Sequence, residues 1–293
     1  MADFLDLTSE GRAELERIFK RARAWKEGMA AAPGARFRVA TVFNGPAFRT
    51  RLAFDTAIET LGGHRVDLPL TLAEREPIAD TAAILNSAVD AVVIRHGDHS
   101  QVLELAQHCK IPVVNAMTNL SHPCEIVSEA FTLLQRRGTL DGLAVTFVGE
   151  ATNLFRSWCE LATQFDIRVT QVAPEGYAAP SEFQDAISRR GGKLAITSDL
   201  ASGAAGASVL YTDGWPREAR QPGPVRDAFL GVQITAGTLD LMAADGVLMH
   251  CMPVGRGHEV TEAAFTDLRS VTLDAKTNLA PTHTAIMEYV LSR

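Results

Sequence analysis

Phe43-Asn44-Gly45-Pro46-Ala47-Phe48-Arg49-Thr50-Arg51 is the stretch whose reading decides the fold. The apolar, β-rich run from Phe37 to Phe43 leads into it, and Asn-Gly-Pro breaks that strand. Phe54, Ala57, Ile58 and Leu61 then recur at helical spacing until Gly62-Gly63 stops the pattern. A strand that turns at once into a helix puts Arg49, Thr50 and Arg51 in or near the first helical turn. Backbone N–H groups there lack intrahelical partners and the dipole is positive, so with guanidinium and hydroxyl donors alongside they form an anion site, most naturally for phosphate. The same residues fit an ordinary strand–helix turn with solvated arginines, and spacing alone leaves both readings open.

The alternation continues outward. Val66 to Leu70 reads as a second strand, Ile78 to Leu85 as a helix, and Ala91 to Ile94 as a buried strand ending at Arg95-His96-Gly97. Ser100 is placed to cap a helix over Gln101 to His108, and Ile111 to Asn115 is a fourth strand feeding the loop Thr118 to Pro123. Upstream, Ser9 is placed to cap a helix with the stripe Leu15, Ile18, Phe19 and Ala22, which Pro33-Gly34 closes. Strands alternating with helices imply crossover connections, a parallel sheet, and functional loops at the carboxyl ends of the strands. Arg49, Arg95 and His122 each follow such an end, so the fold is expected to gather them on one rim.

Pro123 opens a helix to about Gln135, and Gly138 marks a hinge between halves. The rhythm then restarts with strands at Leu143–Val148, Arg168–Val172, Leu194–Thr197, Ser208–Tyr211 and Val247–His250. Leu154, Trp158, Leu161, Ala162 and Phe165 make a strong helical stripe, Asp199 caps a short helix, and Ile286 to Leu291 belongs to a terminal helix. Pro216 to Pro224 is polar and without periodicity, and reads as a loop. The predicted class is α/β, with two doubly wound parallel-sheet domains: 1–133, 134–275, and a C-terminal segment 276–293 returning to the first.

A chain of 293 residues is long enough for two such cores, and a net charge of −7 argues against nonspecific nucleic-acid binding. No apolar run approaches the roughly 20 residues that span a bilayer, and the start of the chain lacks the basic-then-apolar pattern of a signal peptide. Cys109, Cys124, Cys159 and Cys251 are scattered without metal spacing. Cytoplasmic residence with free thiols is therefore expected. His96-Gly97-Asp98-His99 offers two imidazoles but no visible third or fourth ligand, so no metal is expected. Neither G-x-x-x-x-G-K-[ST] nor G-x-G-x-x-G occurs, and no cofactor is expected.

In motif order the chain resembles the aspartate/ornithine carbamoyltransferase superfamily, the ornithine-type members most closely. The resemblance rests on Phe43 to Arg51 with Leu61-Gly62-Gly63, Asp80-Thr81-Ala82, Val93-Ile94-Arg95-His96 and His122-Pro123-Cys124. It continues through Phe147-Val148-Gly149 with Asn153, Tyr211-Thr212-Asp213-Gly214-Trp215, His250-Cys251-Met252-Pro253, Gly257-His258-Glu259-Val260-Thr261 and the stretch around Asn278. It implies a carbamoyl-phosphate domain followed by an amino-acid domain, a terminal helix packed on the first, and a homotrimer. It also implies transfer of the carbamoyl group of carbamoyl phosphate to the amine of an ornithine-like small molecule. Arg49, Arg95, His122 and Cys251 would be catalytic. Ala47, Phe48, Arg49, Thr50 and Glu125 would line the donor site. Asn153, Asp213, Trp215, Cys251 and Met252 would line the acceptor site.

Several positions depart from the family pattern. Ala47 and Phe48 stand where the family usually has Ser and often Thr, Glu125 replaces Gln, and Leu279 replaces the Arg of an Asn-Arg pair. Pro216 follows Trp215 where Ser-Met-Gly is usual. Exchanging Gln for Glu and Arg for Leu removes about two positive charges from an anion pocket, where each close ion contact is worth on the order of 1–4 kcal/mol. A divergent paralogue, either silent and ligand-binding or using a changed donor, is the alternative expectation.

Overall fold

A computed structural model describes residues 3–32, 34, 36–45 and 47–292. Pro33 and Pro46, read above as breakers, and Met1-Ala2 at the chain start lie outside the described residues. The chain divides into two compact units, Met1–Thr132 with Thr277–Arg293, and Leu133–Lys276.

The first unit contains α1 (Arg12–Lys26), β1 (Arg38–Phe43), α2 (Phe48–Thr60), β2 (His64–Asp67), α3 (Ile78–Ala88), β3 (Ala91–Arg95), α4 (His99–His108) and β4 (Val113–Met117). Its sheet is wholly parallel in the order β2-β1-β3-β4. Alternate strand residues serve opposite faces. Ala40, Val42, Val92 and Ile94 pack with Ile78, Ala82 and Leu85 of α3 and Val102 and Leu105 of α4. On the other face Phe43 meets Phe54 of α2, with ring centroids 6.4 Å apart. The chain enters its next helix, α5 (Pro123–Arg137), from β4. After the second unit it returns as α13 (Leu279–Leu291), which packs on α1 and α2.

The second unit contains β5 (Ala144–Val148), α6 (Asn153–Leu161), β6 (Arg168–Val172), α7 (Ser181–Arg189), β7 (Lys193–Thr197), α8 (Leu200–Ala204), β8 (Val209–Thr212) and β9 (Val247–His250). Four short helices, α9 (Pro224–Leu230), α10 (Ala236–Leu239), α11 (Glu262–Phe265) and α12 (Thr272–Thr277), complete the chain order before α13. The sheet is again parallel, in the order β7-β6-β5-β8-β9. Phe147 stacks on Tyr211 at 5.3 Å, and Trp158 of α6 meets that Tyr edge-on at 5.7 Å. The α/β class with two parallel sheets and a returning C-terminal helix is as expected.

Local details differ from expectation for identifiable reasons. The second strand starts at once after Gly63, because His64 pairs with Arg38 and its N–H donates to Phe37 O at 2.8 Å. The fourth strand is Val113–Met117, carried further by pairing of Val113 to Met117 with β3. Asp98, not Ser100, caps α4: its carboxylate accepts the Ser100 N–H at 2.8 Å. Ser9 caps no helix, since α1 starts at Arg12 behind Gly11 and the Ser9 N–H is turned to Asp6. The stretch after Pro216 is a 3-10 turn, Arg217–Arg220, anchored by buried Ala219 and by Arg220 Nε donating to Trp215 O at 2.8 Å.

Candidate functional site

In an open parallel sheet, ligands sit beyond the carboxyl ends of strands where the winding reverses. The first sheet reverses between β1 and β3. Phe43 and Arg95, the last residues of those strands, pair in register, and the Asn44 N–H donates to Arg95 O at 3.1 Å. β4 joins the same rim, where Arg95 pairs with Met117 and the His96 N–H donates to Met117 O at 3.0 Å. Arg49 and Thr50 occupy the first turn of α2, directly after β1. His122 immediately precedes α5, directly after β4. Arg49 in the first turn of α2, Arg95 at the end of β3 and His122 before α5 thus all stand at the exits of adjacent strands of one sheet.

Ala47 takes the N-cap position of α2 and offers no side-chain cap, so the N–H groups of that first turn are left to other acceptors. The Arg49 guanidinium lies over the exposed Phe48 ring, 4.9 Å from its centroid. Arg51 is spent differently: it pairs with Asp67 at 3.0 Å, donates to Phe43 O at 3.3 Å and covers the Phe43 ring. It ties α2 to β1 and β2.

At the head of α5 the Nε2 of His122 lies 3.8 Å from the Glu125 carboxylate, both side chains buried. The loop before it is held by Thr118, whose N–H donates to Ser121 O at 2.8 Å, and by Cys124 Sγ against Asn115 O. His283 of α13 is buried behind this turn, its ring 4.4 Å from Phe54. Burial pushes its imidazole pKa down to about 4, with the Glu125 charge and a backbone hydrogen bond at Leu279 opposing only in part. A neutral His283 supplies no positive charge beside Glu125. Leu279 is buried, and neighbouring Asn278 bridges Lys26 (2.7 Å) and Thr132 (2.8 Å). In the loop after β3, His96 Nδ1 accepts the Asp98 N–H at 3.1 Å and His99 Nδ1 meets Thr118 Oγ1 at 2.8 Å. One nitrogen of each ring therefore shapes that loop.

The second sheet reverses between β5 and β8. Asn153 opens α6 after β5, and Asp213 directly follows β8. Thr212 Oγ1 donates to Val148 O at 2.8 Å, fastening the two strand ends together. Burial raises the Asp213 carboxyl, against the lowering effects of His250, of the Gly214 N–H and of the Thr152 hydroxyl. Trp215 is buried, packed on Phe229 at 5.6 Å and on His258 at 6.0 Å. Cys251 and Met252 follow β9, half-buried, with Met252 held at φ 71°. The main feature that sequence reading missed is the support beneath this loop. His250 Nε2 lies 3.0 Å from Glu259, and the Met252 N–H donates to His250 Nδ1 at 2.8 Å. His250 and Glu259 were both within quoted motifs, but nothing in their spacing says that the pair is buried.

Comparison with known proteins agrees with this fold. The family described as aspartate/ornithine carbamoyltransferase, carbamoyl-P binding domain, matches residues 2–135, and its Asp/Orn binding domain matches residues 141–290. An ornithine carbamoyltransferase of Agrobacterium fabrum is 35% identical over 285 residues, covering 94% of this chain and 93% of its own. One from Symbiobacterium thermophilum is 34% identical over 307 residues, covering 99% and 98%. The structure of ornithine carbamoyltransferase from Pyrococcus furiosus superposes with a TM-score of 0.93 at 29% identity, covering 99% of this chain and 97% of that one. Such matches, on two parallel-sheet units with cationic first-sheet loops, define an enzyme of the carbamoyltransferase class. The chain belongs to the aspartate/ornithine carbamoyltransferase family.

Proposed function

We propose that this enzyme transfers the carbamoyl group of carbamoyl phosphate to the side-chain amine of ornithine or a close relative of it. The observation that carries the reading is the position of Arg49, in the first turn of α2, and Arg95, the last residue of β3, at the paired ends of β1 and β3 where the first sheet reverses. A neutral amine attacks the carbonyl carbon, negative charge grows on the carbonyl oxygen, and phosphate leaves. The protein's task is to position both reactants and to hold fixed positive charge where negative charge develops. Arg49, Thr50 and the first-turn N–H groups of α2 grip the phosphate, with Ala47 and Phe48 shaping the wall. Arg95 and His122 donate to the carbamoyl oxygen, and Glu125 accepts from the carbamoyl NH2.

In the second unit, Asn153 and Asp213 at the β5/β8 reversal bind the amino-acid end of the acceptor, with Cys251 and Met252 beside its reacting amine and Trp215 backing the turn. We assign the enzyme to amino-acid metabolism in the cytoplasm and to a homotrimer, as the resemblance implies, and light scattering tests the latter. The functional test is inorganic phosphate released from carbamoyl phosphate with L-ornithine, and citrulline formed in equal amount. Absence of turnover with ornithine and with a panel of other amines, from a folded protein, would sink the reading.

A further inference from the structure

The first unit has a cavity of about 750 Å³ at the opposite end of its sheet from Arg49. It is framed where the chain enters β1, β2 and β3, by Arg36 and Arg38, by Gly63 and His64, and by Asp90. Its cationic side chains are unspent. Arg21, Arg51, Arg65 and Arg269 each hold a carboxylate, whereas Arg36, Arg38 and His64 form no salt bridge among the described residues. Asp90, the one acidic residue in the lining, already accepts the Arg38 N–H at 2.7 Å. Two guanidiniums therefore face one committed carboxylate, on a chain whose net charge is −7.

The cavity also has an aromatic wall. A Cβ at Gly63 would fall 2.3 Å from the Phe37 ring, so the half-exposed ring lies directly on the glycine backbone. The C-terminus of α2 points here, but its last carbonyls already accept bonds from the N–H groups of Leu61, Gly62 and Gly63. They do not compete for cations. Paired guanidiniums match phosphate geometry, the half-exposed Phe37 ring offers one stacking face, and the volume falls in the usual range for small-molecule sites, roughly 300–1,000 Å³.

We propose that this cavity binds a phosphate-bearing small molecule with a planar ring, of the nucleoside monophosphate class, at a site separate from the one that Arg49 serves. The test is calorimetric titration of AMP into the full-length Arg49→Ala protein, in which the first phosphate site is disabled. The expected result is one AMP per chain, with inorganic phosphate and adenosine each binding more weakly than AMP. Arg36→Glu with Arg38→Glu in the same background should weaken AMP about tenfold or more, by loss of charge-assisted hydrogen bonds. The same pair in an otherwise unaltered protein should leave the melting temperature and basal turnover unchanged, which separates loss of the site from loss of the fold. AMP binding absent from Arg49→Ala, or indifferent to the Arg36 and Arg38 exchanges, would overturn the site. Phosphate alone binding as tightly as AMP would overturn the ring-binding half of it. None of these readouts depends on which amine the enzyme carbamoylates.

Discussion

His250 Nε2 and Glu259 Oε1 lie 3.0 Å apart, with both residues 1% exposed. The Met252 N–H donates to His250 Nδ1, so the ring proton sits on Nε2 and points at the carboxylate. Gly255 N–H donates to the same carboxylate oxygen. Burial by itself would raise the Glu259 carboxyl, but the hydrogen bonds from His250 and from the backbone outweigh it and hold the group low. The pair therefore clamps both ends of the segment 251–255, including Met252 in its left-handed conformation, φ 71°, which costs on the order of 1–3 kcal/mol. Glu259→Ala leaves the buried Nε2–H of a neutral His250 without an acceptor and should cost about 1–3 kcal/mol in urea unfolding. Glu259→Gln keeps an acceptor for Nε2–H and should cost less than half of that.

Arg49 and Arg51 sit two residues apart in one helical turn and have opposite fates. Arg51 is committed to Asp67 and Phe43 O, whereas Arg49 has its guanidinium over Phe48. Arg49→Ala should lower kcat/KM for carbamoyl phosphate by about 100-fold or more, the scale for losing one donor to a developing charge. Arg51→Ala should change kcat/KM by less than about threefold, and should lower stability by no more than about 1 kcal/mol, as for a half-exposed ion pair. Initial rates of phosphate release, beside urea midpoints, measure both.

Periodicity made most of the fold legible. The nine strands of the described residues fall within about three residues of the apolar runs read in the sequence, and the same runs put Arg49, Arg95 and His122 at strand exits. Short helices were harder. α10, with four residues, and the 3-10 turn Arg217–Arg220 are too brief to show a helical period. They are fixed instead by tertiary burial of Leu239 and Ala219 and by the Thr235–Thr238 capping box. The state of His283 was equally hidden. Its sequence neighbourhood is helical and mixed, and only the packing of α13 on α2 reveals an imidazole enclosed against Phe54.

That enclosure has a pH signature. Folding lowers the His283 pKa to about 4 from 6.5 because burial disfavours the charged ring. The unfolded chain then binds more protons than the native one across that window, so stability rises with pH there and falls on acidification. The sign is set: stability is fully present above about pH 6.5, drains as pH falls towards 4, and amounts to on the order of 3 kcal/mol. His283→Phe keeps an aromatic ring against Phe54 and removes the titration. Urea unfolding at pH 7 and pH 5 should show a clearly smaller loss on acidification in the variant than in the parent. Parallel losses in the two proteins would show that acid sensitivity arises elsewhere.

Glu125 stands at the first turn of α5, where the dipole favours a carboxylate, and 3.8 Å from His122. An ionised Glu125 near a bound phosphate opposes it, while a Glu125 matched by a protonated His122 leaves the pair neutral. Glu125→Gln distinguishes the two states. With the charge unmatched, removing it should tighten inorganic phosphate by about tenfold, the 1.4 kcal/mol that one screened like-charge contact supplies. With the charge matched, the exchange takes the carboxylate and its compensating proton together, so the net charge of the site and its phosphate affinity stay the same. In the proposed donor site Glu125 and Leu279 both leave the phosphate with less positive charge, so tighter binding is the outcome expected. Calorimetric titration of phosphate into parent and Glu125→Gln at one pH and ionic strength measures the difference directly, and an unchanged affinity would assign the neutral pair instead.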